Sequence, residues 1–270
     1  MYVRVNDAAY WCHIRGNGEP VLLLHGFTGT SRTWDAVITD WLPDYQTIAV
    51  DLPGHGKTTA HPTSMEACCH DLANILDHLQ WTTVHVIGYS MGGRTALSFA
   101  MLHPERVRSL TLESASPGLD DANERHNRRC RDDALASWIT TRGIRAFADY
   151  WASLPMFDTQ KSLPQTVQQS IREERLEQSA TGLAQSLVTM GTGMQPSWWH
   201  RLTSLHVPVQ LLAGENDAKF CTILRAMDDD MSQSHFFVVS HAGHAIHVEQ
   251  TDKFGKIVRA FLQSMNVTDQ

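Results

Sequence analysis

Gly88-Tyr89-Ser90-Met91-Gly92-Gly93-Arg94 is the stretch from which the rest of the chain can be read. The apolar run Val84-His85-Val86-Ile87 before it has the make-up of a short buried strand, and Thr95–Met101 after it has helical spacing. A strand, a sharp turn and a helix push the Ser90 hydroxyl outwards, and flanking glycines let the backbone pass its neighbours closely enough to do so. The backbone N–H of Met91, at the helix start, then points to where a negative oxygen would sit. The same pattern also occurs in ordinary strand-to-helix turns, so a catalytic Ser90 needs partners from elsewhere in the chain.

Two later segments supply them. Val209-Gln-Leu-Leu-Ala-Gly-Glu215-Asn216-Asp217 reads as a strand ending in an acidic loop, and Ser240-His241-Ala242-Gly243-His244 follows the strand-like run His235–Val239. A neutral imidazole at His244 can take the Ser90 proton, while Asp217 fixes its tautomer and stabilises the imidazolium. His241 and His247 are expected to pack or cap the same loop.

The 270 residues, 42% hydrophobic, can bury one large core. A formal charge of −7 and a pI near 6.1 argue against a nucleic-acid or anionic-membrane surface. The N-terminal residues lack a charged-then-apolar signal pattern, and no apolar run approaches the roughly 20 residues of a spanning helix. A soluble, cytoplasmic protein is expected. Five cysteines without C-x-x-C or zinc spacing read as reduced thiols, and 15 histidines without H-E-x-x-H give no catalytic metal. No cofactor is expected.

Val21–Leu24, Thr47–Val50, Val84–Ile87, Val107–Glu113, Val207–Ala213 and Phe236–Val239 read as buried strands. Helical stretches lie near Ser31–Leu42, Ser64–Leu79, Met91–Leu102, Phe220–Met231 and Lys253–Met265. This alternation predicts an α/β fold: a mainly parallel sheet with helices on both faces. After Pro117-Gly118 no strand pattern returns until His206, which predicts a helical cap at 119–204 inserted between core segments 1–118 and 205–270. The cap holds ten Lys/Arg and ten Asp/Glu, so the core carries the whole −7. A neutral, arginine-rich lid over an acidic body favours an anionic ligand at their interface. Pairing with adjacent acids, as in Arg172-Glu173-Glu174, is the competing use of those arginines.

His25-Gly26-Phe27, Asp51-Leu-Pro-Gly-His-Gly56, the Ser90 turn, Asp217 and His244 together resemble the α/β-hydrolase superfamily over nearly the whole chain. The resemblance implies a second oxyanion donor at the backbone N–H of Phe27, beside Met91, and a structural role for His25. Gly-Tyr-Ser90-Met-Gly-Gly-Arg94, Glu113-Ser-Ala-Ser-Pro-Gly-Leu119, Glu124-Arg-His-Asn-Arg128, Phe147-Ala-Asp-Tyr-Trp151 and Glu215-Asn-Asp217-Ala-Lys219-Phe220 are similar to the 2-succinyl-6-hydroxy-2,4-cyclohexadiene-1-carboxylate synthase family of menaquinone biosynthesis. That resemblance implies a lyase eliminating pyruvate from an enolpyruvyl cyclohexene carboxylate, with Ser90 as the triad-assisted base and no covalent intermediate. It also implies substrate contacts from Tyr89, Arg94, Arg128, Trp151, Arg175 and Lys219, with Tyr150 competing with Trp151 for the aromatic position. Cations suit a substrate carrying three carboxylates.

A hydrolase of vinylogous diketones or carboxylic esters would share every triad residue. The cation set and the released product separate it from a lyase. A catalytically silent ligand receptor is the reading from a different class, and a complete triad order weighs against it.

Overall fold

The computed structural model describes residues 1–6, 8–61 and 63–267. In chain order the elements are β1 (Tyr2–Val5), β2 (Ala8–Arg15), β3 (Glu19–Leu24), α1 (Asp35–Trp41), β4 (Tyr45–Val50), α2 (Met65–His78), β5 (Val84–Tyr89), α3 (Met91–Leu102) and β6 (Val107–Glu113). Then follow α4 (Ala122–Ala152), α5 (Gln165–Leu176), α6 (Ala180–Met190), β7 (Val209–Gly214), α7 (Ala218–Asp230), β8 (Ser234–Val239), α8 (Ile246–Glu249) and α9 (Thr251–Val267). The strands form one sheet in the order β1-β2-β4-β3-β5-β6-β7-β8. All pairings are parallel from β4 to β8, and β1 and β2 join antiparallel at one edge.

Alternate residues of each central strand serve opposite faces, as period-two geometry demands. Leu22 and Leu24 of β3 pack with Leu72, Leu97 and Met227 from α2, α3 and α7. Val21 and Leu23 pack with Val37, Phe254 and Leu262 from α1 and α9. Each fully buried side chain of this kind contributes about 1.5–3 kcal/mol, and burial on both faces is why these strands read as continuous apolar runs.

Two expectations need correction. The sheet has an antiparallel pair, β1 and β2, ahead of Val21, where the alternation is short and half-polar. Phe236–Val239 is only partly buried: Val239 is in the core, but Phe237 is 43% and Val238 46% exposed, because β8 is the edge strand of the sheet among the described residues.

Between β6 and β7 the described residues hold helices only, α4 to α6 with short 3₁₀ turns. Helix α4 breaks at Gly143, where φ is 78° and ψ is 170°, and then continues to Ala152. Ile139, Phe147, Leu183 and Leu187 form a separate apolar cluster against which Phe27 and Trp151 pack. Thus the helical segment has its own small core, and its underside meets the loop after β3.

Helix α3 starts hard against that loop. A Cβ at Gly92 would lie 2.0 Å from the Leu24 carbonyl oxygen and 2.5 Å from that of His25. Backbone cannot yield as a flexible side chain can, so Gly92→Ala should destabilise the protein by about 1–3 kcal/mol. Urea denaturation of the variant, followed by far-UV circular dichroism, measures this as a lowered midpoint at unchanged slope.

Candidate active site

Ser90 occupies the one-residue turn between β5 and α3 with φ 51° and ψ −107°. L-residues rarely hold a positive φ, and such strain persists only where surroundings over-determine it. The Ser90 N–H is held by the Glu113 carbonyl on the neighbouring strand end at 2.8 Å. Asp217 follows β7 and caps α7, accepting the Phe220 N–H at Oδ1. His244 lies in the loop between β8 and α8. Three strand ends therefore bring together residues 127 and 27 positions apart in sequence.

His244 Nδ1 is 2.6 Å from Asp217 Oδ2, and Nε2 is 3.0 Å from Ser90 Oγ. Because the carboxylate accepts, the ring carries its proton on Nδ1 and Nε2 accepts from the serine. His244 is 1% exposed. Phe220 and Tyr89 stand 4.8 and 5.4 Å from its ring, so the imidazole is held in a water-poor setting. An arrangement of this kind can make Ser90 either a nucleophile or a base.

Met91 is the first residue of α3, so its amide is one of the helix-start N–H groups that have no acceptor within the helix. The loop carrying Phe27 is pressed alongside: a Cβ at Gly26 would meet the Tyr89 ring at 2.5 Å. His25 Nε2 accepts the Leu52 N–H at 2.8 Å and His55 Nε2 accepts the Thr28 N–H at 3.2 Å, tying this loop to the one after β4. Asp51 takes the N–H groups of Ser31 and Lys57 in the same junction.

The cations fall into separate places. Arg175 is 7% exposed, stands 4.9 Å over the Phe157 ring, and lines a cavity of about 50 Å³ with Phe27, Tyr89 and Gln160. Arg128 and Lys219 line a cleft of about 630 Å³ with Ser116, Leu119 and Phe220. Phe220, the wall of this second cleft, packs on His244. Arg94 donates to the Met190 carbonyl at 3.0 Å and to Gln195 Oε1 at 3.4 Å. Burial pulls its guanidinium down to about 9, with Arg128 adding to the drop and Asp132 opposing it. Arg175 is also lowered by burial, against the pull of Tyr89 and Glu174. Removing a guanidinium from water without a full carboxylate partner is costly, and a bound anion relieves that cost.

Trp151 faces inward, 5.2 Å from Phe27, and its buried Nε1 has no hydrogen-bond partner among the described residues. Tyr150 is 43% exposed and packs on Trp138 instead. Glu174 caps the Thr30 amide and hydroxyl, and Gln178 donates to the Thr28 carbonyl while taking the Gly56 N–H. Sequence reading passed over Glu174, Gln178, Gln195 and Asp132 as site-building residues. Their only signal is polarity, in helices for Asp132 and Glu174 and in connecting turns for Gln178 and Gln195, which surface residues share. Among the described residues no three His, Cys, Asp or Glu side chains cluster as a metal site.

The fold is that of the α/β-hydrolase class, and Ser90, His244 and Asp217 stand in it in the geometry of a serine triad. The family model described as alpha/beta hydrolase fold matches residues 19–251. A Klebsiella pneumoniae subsp. pneumoniae relative, 2-succinyl-6-hydroxy-2,4-cyclohexadiene-1-carboxylate synthase, is 33% identical over 86% of this chain and 90% of its own. A Bacillus subtilis protein whose name assigns it the same activity provisionally is 45% identical over 92% of this chain and 91% of its own. The solved structure of MenH from S. aureus superposes with a TM-score of 0.90 at 36% identity, covering 95% of this chain and 98% of that one. The chain belongs to the α/β-hydrolase fold family and, within it, to the family of 2-succinyl-6-hydroxy-2,4-cyclohexadiene-1-carboxylate synthases.

His25 and His55 are buried as neutral imidazoles, pushed by desolvation from 6.5 to about 4 and about 3. The unfolded chain takes up these protons first, so stability held above pH 6.5 is lost as the pH falls towards 4, by about 1.4 kcal/mol per unit and per histidine. Unfolding midpoints in urea should therefore drop between pH 7 and pH 5, and drop less in His55→Asn. A level midpoint across that range would show that neither ring is held neutral.

Proposed function

We propose that this protein is a carbon–oxygen lyase of menaquinone biosynthesis, eliminating pyruvate from 2-succinyl-5-enolpyruvyl-6-hydroxy-3-cyclohexene-1-carboxylate to give 2-succinyl-6-hydroxy-2,4-cyclohexadiene-1-carboxylate. Membership of the synthase family supports the reaction, and the observation that carries its mechanism is the 3.0 Å contact between His244 Nε2 and Ser90 Oγ beside desolvated cations. His244 draws the proton from Ser90 as the serine oxygen removes the ring proton next to the succinyl ketone. The electron pair moves onto the ketone oxygen, which the amides of Phe27 and Met91 stabilise as it becomes negative. The enolate then re-forms its carbonyl, the ring double bond shifts, and the bond to the enolpyruvyl oxygen breaks. The proton held by His244 leaves with pyruvate, so the triad returns to its starting state.

Three carboxylates on the substrate account for cations in two places. Arg175 with Tyr89 takes them at one cavity and Arg94 with Arg128 and Lys219 at the other, while Trp151 walls the ring. A charge-assisted hydrogen bond contributes about 1.5–3 kcal/mol, so three engaged carboxylates outweigh the apolar contacts in recognition. Residues 119–204 act as a cap that brings Arg128, Trp151 and Arg175 over the triad. Five free cysteines favour a reducing compartment, and we place the enzyme in the cytoplasm.

Ser90→Ala, His244→Ala and Asp217→Asn should each lower turnover by at least about 10²-fold, and the double variants should lose little more, because the three move one proton as a unit. A coupled assay for pyruvate reads this directly. Rapidly quenched enzyme should carry an unmodified Ser90 in mass spectrometry, since a base forms no acyl intermediate. Efficient turnover of p-nitrophenyl acetate without pyruvate release from the cyclohexene substrate would instead mark an esterase.

Arg128→Ala and Arg175→Ala should each raise KM by about tenfold or more, with a thermal midpoint that barely moves in Arg175→Ala and falls in Arg128→Ala, where the buried Asp132 carboxylate loses its ion-pair partner at 2.9 Å. Either variant unfolding while its residual folded fraction kept a normal KM would assign that arginine to the fold.

A further inference from the structure

The loop that presents His244 hangs from two buried carboxylates that the elimination does not use. Glu249 takes the backbone N–H groups of Gly243 at 2.6 Å and Ala245 at 3.2 Å, the residues on either side of His244. Glu113, fully buried, takes the backbone N–H of His247 at 3.0 Å and stands 2.9 Å from its ring Nδ1. His247 Nε2 lies 3.0 Å from Thr33 Oγ1, on the 3₁₀ turn Ser31–Trp34 that follows the Phe27 loop. A carboxylate accepts, so the ring proton sits on Nδ1 and the Thr33 hydroxyl donates to Nε2. Hydroxyl, imidazole and carboxylate thus repeat the arrangement at Ser90, and the Tyr89 ring lies between the two imidazoles, 5.4 Å from His244 and 4.6 Å from His247.

Glu113 reaches both sides of the reacting contact. Its carbonyl fixes the Ser90 N–H at 2.8 Å, and its carboxylate fixes the main chain three residues after His244. We propose that Glu113 and His247 are positioning residues for the elimination, holding the histidine loop at the height where His244 Nε2 meets Ser90 Oγ. The inference rests on the reading of Ser90 and His244 as a proton-transfer pair. Proton transfer is steep in distance, and a displacement of about 1 Å costs on the order of 10²-fold in rate. A carboxylate serving the fold alone would lower stability and leave the folded enzyme's turnover intact. A positioning one lowers kcat, leaves KM, and loses its effect once the serine is gone.

The experiment measures kcat and KM for pyruvate release in Glu113→Ala, Glu113→Gln and His247→Gln, each with and without Ser90→Ala, and the rate at which a fluorophosphonate labels Ser90. Glu113→Ala should lower kcat by about 30-fold or more with KM within about threefold, and slow labelling by a similar factor. Glu113→Gln should recover most of the rate, because its amide can accept from the His247 N–H and donate to Nδ1 in the other tautomer. In the Ser90→Ala background Glu113→Ala should cost nothing further. Should Glu113→Ala fail to fold, His247→Gln, which can still donate to Glu113 but leaves the bond to Thr33, should show a loss of about fivefold that also vanishes without Ser90. An unchanged kcat per folded enzyme, a rise in KM alone, or an equal loss in the Ser90→Ala background overturns the proposal. Slowed labelling in Glu113→Ala, with no pyruvate released by the unaltered enzyme, would sustain the positioning role and reject the lyase reading.

Discussion

The backbone of Ser90, held at φ 51° between a strand and a helix, is the constraint on which the rest of the site depends. An L-residue accepts that conformation only if its neighbours leave no alternative. Here the Glu113 carbonyl pins the serine N–H from the adjacent strand, and Gly92 lets α3 close onto Leu24 and His25 without a side chain in between. The same closeness sets the amide of Met91 beside the loop of Phe27. Strain at one residue therefore aims a hydroxyl beside the start of α3.

Carboxylates with structural work sit under the site: Asp51 and Glu249 bind backbone N–H groups, and Glu113 binds both a backbone and a ring N–H. The cations lie on the helical segment or on α3 and α7, and Arg128 is ion-paired there with the buried Asp132 at 2.9 Å. Arg94 has neutral hydrogen-bond partners, a carbonyl and an amide, and its burial is unfavourable until a negative ligand arrives. A buried guanidinium with neutral partners is suited to an anionic ligand.

The helical segment and the core are joined at the loop that carries Phe27. Glu174 and Gln178 grip residues 28–30 and Gly56, while the neighbouring Arg175 faces the small cavity beside Tyr89. Arg175 and the side chains that hold the Phe27 loop thus share one short stretch of α5 and the residues just after it. Trp151 and Phe147, packed on Phe27, close the same junction with apolar contacts.

Much of this was legible in the chain because its cause is local. The Ser90 turn is written in adjacent glycines and in the change from strand to helix period, and the buried strands β3 to β7 show as apolar runs because both their faces are covered. Asp217 and His244 are readable because each ends a strand-like run, in the order Ser, Asp, His. What the residues alone could not supply depends on partners far off in the sequence. Glu113 and His247 are 134 positions apart, and nothing near Glu113 distinguishes a carboxylate aimed at a loop from one aimed at solvent. The exposure of Phe237 and Val238 follows from the place of β8 at the sheet edge, while their composition matches that of a core strand. Sequence determines which backbone each segment prefers and which chemistry it carries. Only the packed sheet decides which strand ends meet, because burial and hydrogen bonding between distant segments exist only after the chain has closed on itself.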